Sequence, residues 1–255
     1  MQDIITYEQP LNERIRMFLR LDHLFRKTTA TLEGTSSWDS RTTMGGLIAI
    51  LELLSRTDVK NEILKDLERH QITLSRLQTK AGVDHDMLQK TLDELERYSS
   101  QLHAIDTPLG LSLRDTDLIA GLTQRGGMIE SLCSFDVPAY HFWLSKPAEE
   151  RVTQQKAWFH ALQVVEHPIR LLVSIIREST VPASKVAVEG FYQQSLSTNS
   201  PYLLLRVILP ASAPYFAEIS AGKHRFTVRF MQPRANQRPL QYSEDVEFKL
   251  SCCAL

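Results

Sequence analysis

The stretch that decides the fold is AGKHRFTVRFM, Ala221 to Met231, because its residues alternate with the period of two that a half-buried β-strand requires. One face of this strand suits a core and carries His224, Phe226, Val228 and Phe230. The opposite face carries three cations and no acid, and it consists of Lys223, Arg225, Thr227 and Arg229. Two interpretations stay open: acids on neighbouring strands neutralise this basic row, as cross-strand ion pairs often do, or the row binds a partner.

The composition is that of an ordinary globular protein, with 255 residues, a formal net charge of -1 and 43% hydrophobic residues. There is no run of 18 or more apolar residues and no signal-peptide layout at the start, so we expect no transmembrane helix and no direct membrane insertion. Three cysteines without C-x-x-C spacing favour a reduced, cytoplasmic protein. The near-neutral charge argues against a general nucleic-acid binder.

The hydrophobic pattern changes from helical to strand-like at Val181. Five strand-like runs follow, separated by turn clusters, at 185–192, 202–209, 216–220, 222–232 and 245–252. We therefore predict an α+β fold, with a mainly helical domain over 1–180 and a small antiparallel β domain over 181–255. A short strand at 1–8 is a candidate to join the β domain, because chain ends often meet.

A second basic row lies on the first predicted helix, Leu11 to Thr29. Arg16, Arg20, His23 and Lys27 stand at offsets 0, 4, 7 and 11, so they form one narrow stripe on that helix. Like charges at this spacing repel, so the stripe indicates either partner binding or a solvated face with acids across from it. If the N-terminal strand joins the β domain, both basic rows could face one cleft, where guanidinium groups would bind carboxylates.

The remaining helical segments carry more ordinary signals. Residues 39–55, 58–80, 84–102, 113–124 and 149–165 are predicted helices, and Pro168 starts or kinks the next one. The helices at 58–80 and 84–102 have thin apolar stripes and a short joint, which indicates an antiparallel hairpin. Those stripes suit either contact with another chain or packing on the chain's own body.

An aromatic segment, SLCSFDVPAYHFWLSKP, covers Ser131 to Pro147. Asp136 is predicted to cap a helix that has Pro138 in its first turn. Four apolar side chains make the segment a core candidate, Tyr140, Phe142, Trp143 and Leu144. A lone histidine in such a segment, here His141, is typical of a packed and hydrogen-bonded side chain.

No catalytic or metal-binding motif is present. The sequence has no G-x-S-x-G, no Gly-rich phosphate loop, no H-E-x-x-H and no dinucleotide fingerprint, and its eight histidines are scattered. The adjacent Cys252 and Cys253 are expected to be buried strand cysteines. We expect no enzyme, no cofactor and no metal, while an enzyme without a recognised motif stays an alternative that a pocket with perturbed carboxylates would revive.

From end to end, the chain resembles the ZapD family of bacterial cell-division factors. The segments that carry the resemblance are YEQPLNERIRMFLRL (Tyr7–Leu21), LLSRTDVKNEILKDL (Leu53–Leu67), CSFDVPAYHFWL (Cys133–Leu144), GFYQ (Gly190–Gln193), ISAGKHRFTVRFM (Ile219–Met231) and FKLSCC (Phe248–Cys253). None of them is a catalytic motif, but their order and spacing together are specific.

The resemblance implies a cytoplasmic, non-enzymatic homodimer that acts in the cell cycle, in septation, at midcell with the Z-ring. Such a dimer binds the C-terminal tail of the tubulin-like division protein FtsZ and bundles FtsZ filaments by cross-linking them. The alternative is a nucleic-acid-binding module that uses the same basic rows, and the net charge of -1 argues against it.

The resemblance also implies a basic tail-binding pocket near the domain junction. The residues that fall in matching segments are Arg16, Arg20, Arg56, His141, Arg225 and Arg229, and the strand row adds Lys223. Asp117, in LRDTDLI, departs from the family pattern, in which a basic residue is expected. This departure puts one edge of the pocket in doubt.

Overall fold

The chain divides into two compact units in the computed structural model, which describes residues 3–56, 58–125, 129–197, 200–222 and 224–254. The β unit consists of Met1–Met17 with Val173–Leu255, and the helical unit is Phe18–Leu172. Helices α1 (Glu13–Thr31) and α8 (Ala148–Glu178) each contribute residues to both units. The α+β class predicted from the sequence is confirmed, and the domain division at residue 181 stays a prediction.

The helical unit contains most of α1 and α8 and the elements between them. These are α2 (Ser37–Arg56), α3 (Val59–Ser75), α4 (His85–His103), α5 (Leu111–Arg114), α6 (Asp117–Arg125), a 3-10 turn (Ile129–Ser131) and α7 (Pro138–Leu144). Helix α2 continues through Gly45 and Gly46 although glycine disfavours helix. A Cβ atom on Gly46 would lie 2.2 Å from the Thr28 hydroxyl oxygen, so glycine allows α1 and α2 to approach closely.

Helices α3 and α4 pack against each other as the predicted hairpin. Each begins at an aspartate whose carboxylate accepts a backbone hydrogen bond, Asp58 from Asn61 N and Asp84 from Met87 N. Seven residues of the predicted apolar stripes are buried, namely Val59, Ile63, Leu67, Leu88, Leu92, Leu95 and Tyr98. Leu74 and Leu77 are only partly buried, and Met87, which was predicted to point inward, is exposed. Packing within the chain is therefore observed for these seven residues, and contact of the hairpin with another chain stays a prediction.

Two helix boundaries differ from the sequence prediction. The helix predicted at 113–124 is two short helices, α5 and α6. Of the two predictions at Pro168, the start of a new helix is wrong because α8 is continuous, and the kink stays a prediction. Proline removes one backbone donor from a helix. Burial of Val165, Ile169 and Leu172 around Pro168 offsets that loss.

Helix α8 is long and apolar enough, by length and composition alone, to cross a membrane. Half of its most apolar 18-residue window is buried inside the protein. A core helix meets the same criteria, so this finding carries no argument for membrane insertion.

The β unit is a sandwich of two antiparallel sheets. Its strands are β1 (Ile4–Pro10), β2 (Ala183–Ala187), β3 (Phe191–Ser195), β4 (Tyr202–Pro210), β5 (Phe216–Ala221), β6 (Arg225–Arg234), β7 (Gln237–Gln241) and β8 (Val246–Ala254). Sheet 1 has the order β1-β4-β8-β2, and sheet 2 has the order β3-β6-β5, with β7 also paired to β6. The N-terminal strand β1 pairs with β4, so the prediction that it joins the β strands is confirmed.

The inner faces of the two sheets share one core. Sheet 1 contributes Leu205, Val207, Leu209, Val246, Phe248 and Leu250, and sheet 2 contributes Ala217, Phe226, Val228 and Phe230. The rings of Phe230 and Phe248 have centroids 5.0 Å apart, so the two sheets are joined by direct aromatic contact. Burial of these alternate residues leaves the other face of each strand pointing away from the core.

Two strand predictions need correction. The run at 185–192 is two strands, β2 and β3, because the chain turns at Glu189 and Gly190, both with positive φ. A Cβ atom on Gly190 would lie 2.3 Å from the Tyr242 carbonyl oxygen, so only glycine fits this turn. Strand β7 lies where prolines predicted only a turn. All five of its residues are exposed, and exposed edge strands tolerate proline.

Candidate functional site

Strand β6 has the two faces that its sequence predicts. Phe226, Val228 and Phe230 are buried, while Arg225 and Arg229 are exposed on the outer face of sheet 2. Arg225 and Arg229 are four residues apart, which corresponds to about 13 Å along an extended strand. His224 was expected on the buried face but is exposed, because it precedes the strand and lies in a bend.

The neighbouring strands supply one acid to this outer face. Arg229 stands opposite Glu218 of β5 and Phe191 of β3, and Arg225 stands opposite Ser195. Within the ranges that the structure describes, no carboxylate is within ion-pair distance of either guanidinium group. Neutralisation by neighbouring acids, one of the two interpretations of the row, is therefore not observed among these residues.

A depression of about 430 Å³ lies beside Arg229 on the same face. Its other lining residues are Glu218, Ile219, Ser220 and Thr227, so two residues with hydroxyl groups line the depression together with Arg229. Exposed guanidinium groups bind carboxylates with paired hydrogen bonds, and hydroxyl groups can donate further ones. The outer face of sheet 2 can therefore bind anionic groups.

The basic stripe of α1 is present as predicted. Arg20, His23 and Lys27 are exposed, and the opposite side of the helix is buried. Arg16 is about two-fifths exposed and pairs with Glu13, whose carboxylate oxygen is 3.1 Å from the guanidinium Nε. The charge of Arg16 is thus partly satisfied within the helix, whereas Arg20 has no ion pair among the described residues.

The other predicted site residues are distributed unevenly. Arg16, Arg225 and Arg229 belong to the β unit, while Arg20 and His141 belong to the helical unit. Arg56 ends α2, but its side chain lies outside the described part of the structure, and so does the whole of Lys223. The predicted meeting of the two basic rows in one cleft stays a prediction.

The segment around α7 corrects three expectations. His141 is exposed, so the expectation of a packed histidine is wrong, and Phe142 is exposed where a core position was predicted. Tyr140, Trp143 and Leu144 are buried as expected. Asp136 does not cap α7; its carboxylate accepts a hydrogen bond from Cys133 N at 2.7 Å. In a helix of seven residues only one face can be buried, which leaves His141 and Phe142 at the surface.

Sequence reasoning missed an ionic cluster on the outer face of sheet 1. Arg177 of α8 donates two hydrogen bonds of 2.8 Å to the Glu8 carboxylate, and Arg206 of β4 donates another of 3.1 Å. Arg206 also donates to the Arg177 carbonyl oxygen at 3.0 Å. Burial raises the pKa of Glu8, but the two guanidinium groups outweigh it and hold that pKa below its ordinary value. These residues are far apart in sequence, so no local sequence pattern predicts the cluster.

The described residues offer little to a metal ion. Over the described ranges, no cluster of three or more His, Cys, Asp or Glu side chains could hold an ion. Cys253 is buried and Cys252 is partly buried, and burial raises the pKa of both thiols.

Comparison with known proteins gives one consistent match. A family model described as "ZapD: Cell division protein" matches residues 19–229. A relative named Cell division protein ZapD from Methylococcus capsulatus is 38% identical over 255 residues, which is 100% of both chains. Relatives of the same name from Coxiella burnetii and Azoarcus sp. are 36% and 32% identical, over 98% and 99% of this chain and 98% and 100% of their own lengths.

The fold and these matches define the class: this is a cell division protein, and the class is not a known enzyme family. The chain belongs to the ZapD family, by a family match over most of its length and by full-length relatives at 30–38% identity. The resemblance read from the sequence is thereby confirmed.

Proposed function

We propose that this chain binds the C-terminal tail of FtsZ and, as a homodimer, cross-links and bundles FtsZ filaments, which stabilises the Z-ring. Its proposed place is the cytoplasm, at midcell, and its proposed action is non-enzymatic and independent of nucleic acid. The proposed tail-binding residues are Arg16, Arg20, Arg56, His141, Lys223, Arg225 and Arg229. Membership of the ZapD family supports the division role, and the surface chemistry supports the tail.

The observation that carries this proposal is the outer face of sheet 2. Arg225 and Arg229 are exposed there, and the described residues give neither of them an ion pair. An exposed cation without an ion pair costs the folded state little free energy, because water solvates it. The same guanidinium group forms paired hydrogen bonds when a carboxylate binds. Phe191 stands opposite Arg229, so a peptide that combines acidic residues with an apolar side chain fits this face.

Dimerisation allows such a surface to cross-link filaments. One weak tail site per chain would decorate filaments without linking them. Two sites in one dimer meet a polymer that displays many tails, so the second binding event is favoured by effective concentration. Filament bundling therefore follows from modest affinity at each site.

The test is sedimentation of FtsZ filaments at low speed and low salt, where only bundles form a pellet. We expect the wild-type chain to sediment FtsZ and the Arg225→Glu variant to fail. Arg238→Glu is the matched control, because Arg238 is also an exposed arginine of sheet 2 but lies on β7, outside the proposed set. Both variants should keep the wild-type melting temperature.

Two results would contradict the proposal. Undiminished bundling by both Arg225→Glu and Arg16→Glu at low salt would show that the basic rows do not bind the tail. Loss of bundling by Arg238→Glu to the same degree would show that net charge, and not the named row, controls the effect.

A further inference from the structure

The outer face of sheet 2 carries one acid within its basic row. The register of β3, β5 and β6 places ten residues on this face, namely Phe191, Gln193, Ser195, Phe216, Glu218, Ser220, Arg225, Thr227, Arg229 and Met231. Glu218 is the acid among these ten, and it is exposed. An acid repels the carboxylates that a basic row attracts, so a surface that only attracted negative charge would not be expected to carry it.

Glu218 of β5 and Arg229 of β6 stand directly opposite each other. Directly opposite residues of antiparallel strands have Cα atoms about 4.5–5.5 Å apart, so these two side chains leave the sheet side by side. In the ranges that the structure describes, no ion pair joins them, and none joins Glu218 to another cation. Both charges are therefore available to a partner.

One depression is lined by both charges. It is the depression of about 430 Å³ already described, and Glu218, Ser220, Thr227 and Arg229 are among its lining residues. It presents a carboxylate that accepts hydrogen bonds, a guanidinium group that donates them and two hydroxyl groups that do both. Phe191 stands on the other side of Arg229, so one row across three strands consists of an acid, a base and an aromatic ring.

We propose that Glu218 is a specificity-determining residue of the tail-binding face, and that it selects a segment in which a basic residue accompanies the carboxylate bound by Arg229. The inference rests on the proposed function and deepens it from an acidic tail to a tail of mixed charge. The basic side chain of the partner pairs with Glu218 while its carboxylate pairs with Arg229. Such charge complementarity contributes to specificity more than to affinity.

The separation of the two charges defines the spacing of charges in the partner. Alternate residues of an extended segment point to the same side and are about 6.6 Å apart. Residues three or four positions apart on a helix have Cβ atoms about 5–6 Å apart. Long side chains reach groups on directly opposite strands from either spacing, so the basic residue is expected two to four positions from the acidic one.

The mixed pair of charges also favours a protein segment over a nucleic acid. A nucleic-acid backbone presents a row of anions, which the arginines would attract. Glu218 would repel the same backbone without gaining a partner, and like charges placed together in an interface are costly. A peptide can place a cation at Glu218 and an anion at Arg229, so it satisfies both groups.

Titration calorimetry of the Glu218→Gln variant with a synthetic FtsZ tail peptide tests the inference, because the two roles of Glu218 predict opposite signs. If Glu218 only repels an acidic tail, its removal strengthens binding. If Glu218 pairs with a basic residue of the tail, its removal weakens binding. We expect the second result, with the dissociation constant raised about twofold to fivefold, as loss of an exposed ion pair does.

Glu247→Gln is the matched control. Glu247 is also an exposed acid of the β unit, but it lies on β8 of sheet 1, so this variant makes the same change in net charge away from the face. We expect its dissociation constant to stay within about twofold of wild type, as for an exposed charge outside the interface. Both variants should keep the wild-type melting temperature, since neither carboxylate makes an ion pair among the described residues.

Charge reversal supplies a second measurement. Tail peptides in which each basic residue is replaced in turn by glutamate are titrated against wild type and against Glu218→Lys. We expect one of these peptides to lose affinity for wild type and to regain it with Glu218→Lys, because the acid and the base have exchanged sides. This rescue identifies the basic residue that Glu218 selects, and a change in net charge alone does not produce it.

The outcomes separate the inference from the proposed function. Weaker binding by Glu218→Gln, unchanged binding by Glu247→Gln and rescue by Glu218→Lys together support selection of a basic residue. Wild-type or tighter binding by Glu218→Gln, an equal loss with Glu247→Gln, or absence of rescue overturns the inference and leaves tail binding standing. Failure of the wild-type chain to bind the tail peptide at low salt overturns both.

Discussion

The outer faces of the two sheets in the β unit use arginine in opposite ways. On sheet 1, Arg206 is one-fifth exposed and donates to the Glu8 carboxylate and to a carbonyl oxygen of α8. On sheet 2, Arg225 and Arg229 are exposed, with no ion pair among the described residues. The same side chain thus joins parts of the fold on one sheet and remains available to a partner on the other.

This difference follows from what covers each face. The end of α8 brings Arg177 over sheet 1, and a partly buried carboxylate between two guanidinium groups is stable only while all three stay paired. On sheet 2, the row stays in water, where an unpaired cation carries no desolvation cost. An arginine is therefore a candidate for recognition when its surroundings neither bury it nor neutralise it.

The largest effect is expected on sheet 1. Glu8→Gln removes the partly buried carboxylate to which Arg177 and Arg206 both donate, which should lower the free energy of unfolding by about 3 kcal/mol. Denaturant unfolding measures this loss. Tail binding should stay at the wild-type value in the folded variant, and a variant as stable as wild type would show that the cluster is dispensable.

The second effect is expected on sheet 2, where a substitution should weaken tail binding and leave stability unchanged. Arg225→Glu should weaken binding of an FtsZ tail peptide about tenfold or more, because it replaces a charge-assisted hydrogen bond with repulsion. Its melting temperature should not change. Isothermal titration calorimetry gives the affinity, and a loss of stability with intact binding would assign Arg225 to the fold instead.

A pH dependence sharpens the comparison further. The folded-state pKa of Glu8 is below its ordinary value, so its stabilising contribution is present above that ordinary value and is lost as pH falls through the folded pKa. The difference in the free energy of unfolding between wild type and Glu8→Gln should therefore shrink as the pH falls, by up to about 1.4 kcal/mol per pH unit. Unfolding curves of both proteins from about pH 6 to about pH 3 test this, and a constant gap between them would refute it.

The smallest effect distinguishes two arginines of α1. Arg16 already pairs with Glu13, while Arg20 makes no ion pair within the described ranges. Arg20→Ala should consequently weaken tail binding more than Arg16→Ala, by about twofold to threefold, since an exposed pair is worth under 1 kcal/mol. Glu13→Ala is the control, and it should strengthen binding slightly by releasing Arg16. Equal losses in the two arginine variants would remove the distinction.

Much of the fold is predictable from periodicity. The alternation at 222–232 identifies β6 and its buried face, and the stripe on α1 falls where helical geometry places it. The failures have their causes in tertiary contacts. Gly190 splits one apparent strand through a close approach to Tyr242, and burial carries α8 past Pro168. Such contacts come from distant parts of the chain, which a window of sequence does not contain.

The candidate site is predictable in its residues and not in their state of pairing. Sequence pattern selects Arg225 and Arg229 as an unmixed row. It gives no sign that Arg206 meets Glu8, because their pairing depends on the register of β1 against β4. Exposure of His141 and Phe142 likewise depends on which face of the short helix α7 the helical unit covers.

The most direct test of the account is binding of a synthetic FtsZ tail peptide at rising salt, to wild type and to the Arg225→Ala, Arg229→Ala double variant. We predict that wild type binds at low salt and weakens as salt increases, because ionic contacts are screened. The double variant should bind more weakly and with a shallower salt dependence. The claim that Arg225 and Arg229 of sheet 2 bind the tail would be contradicted if the wild-type affinity did not change with salt. It would also be contradicted if the double variant bound the peptide with the wild-type affinity.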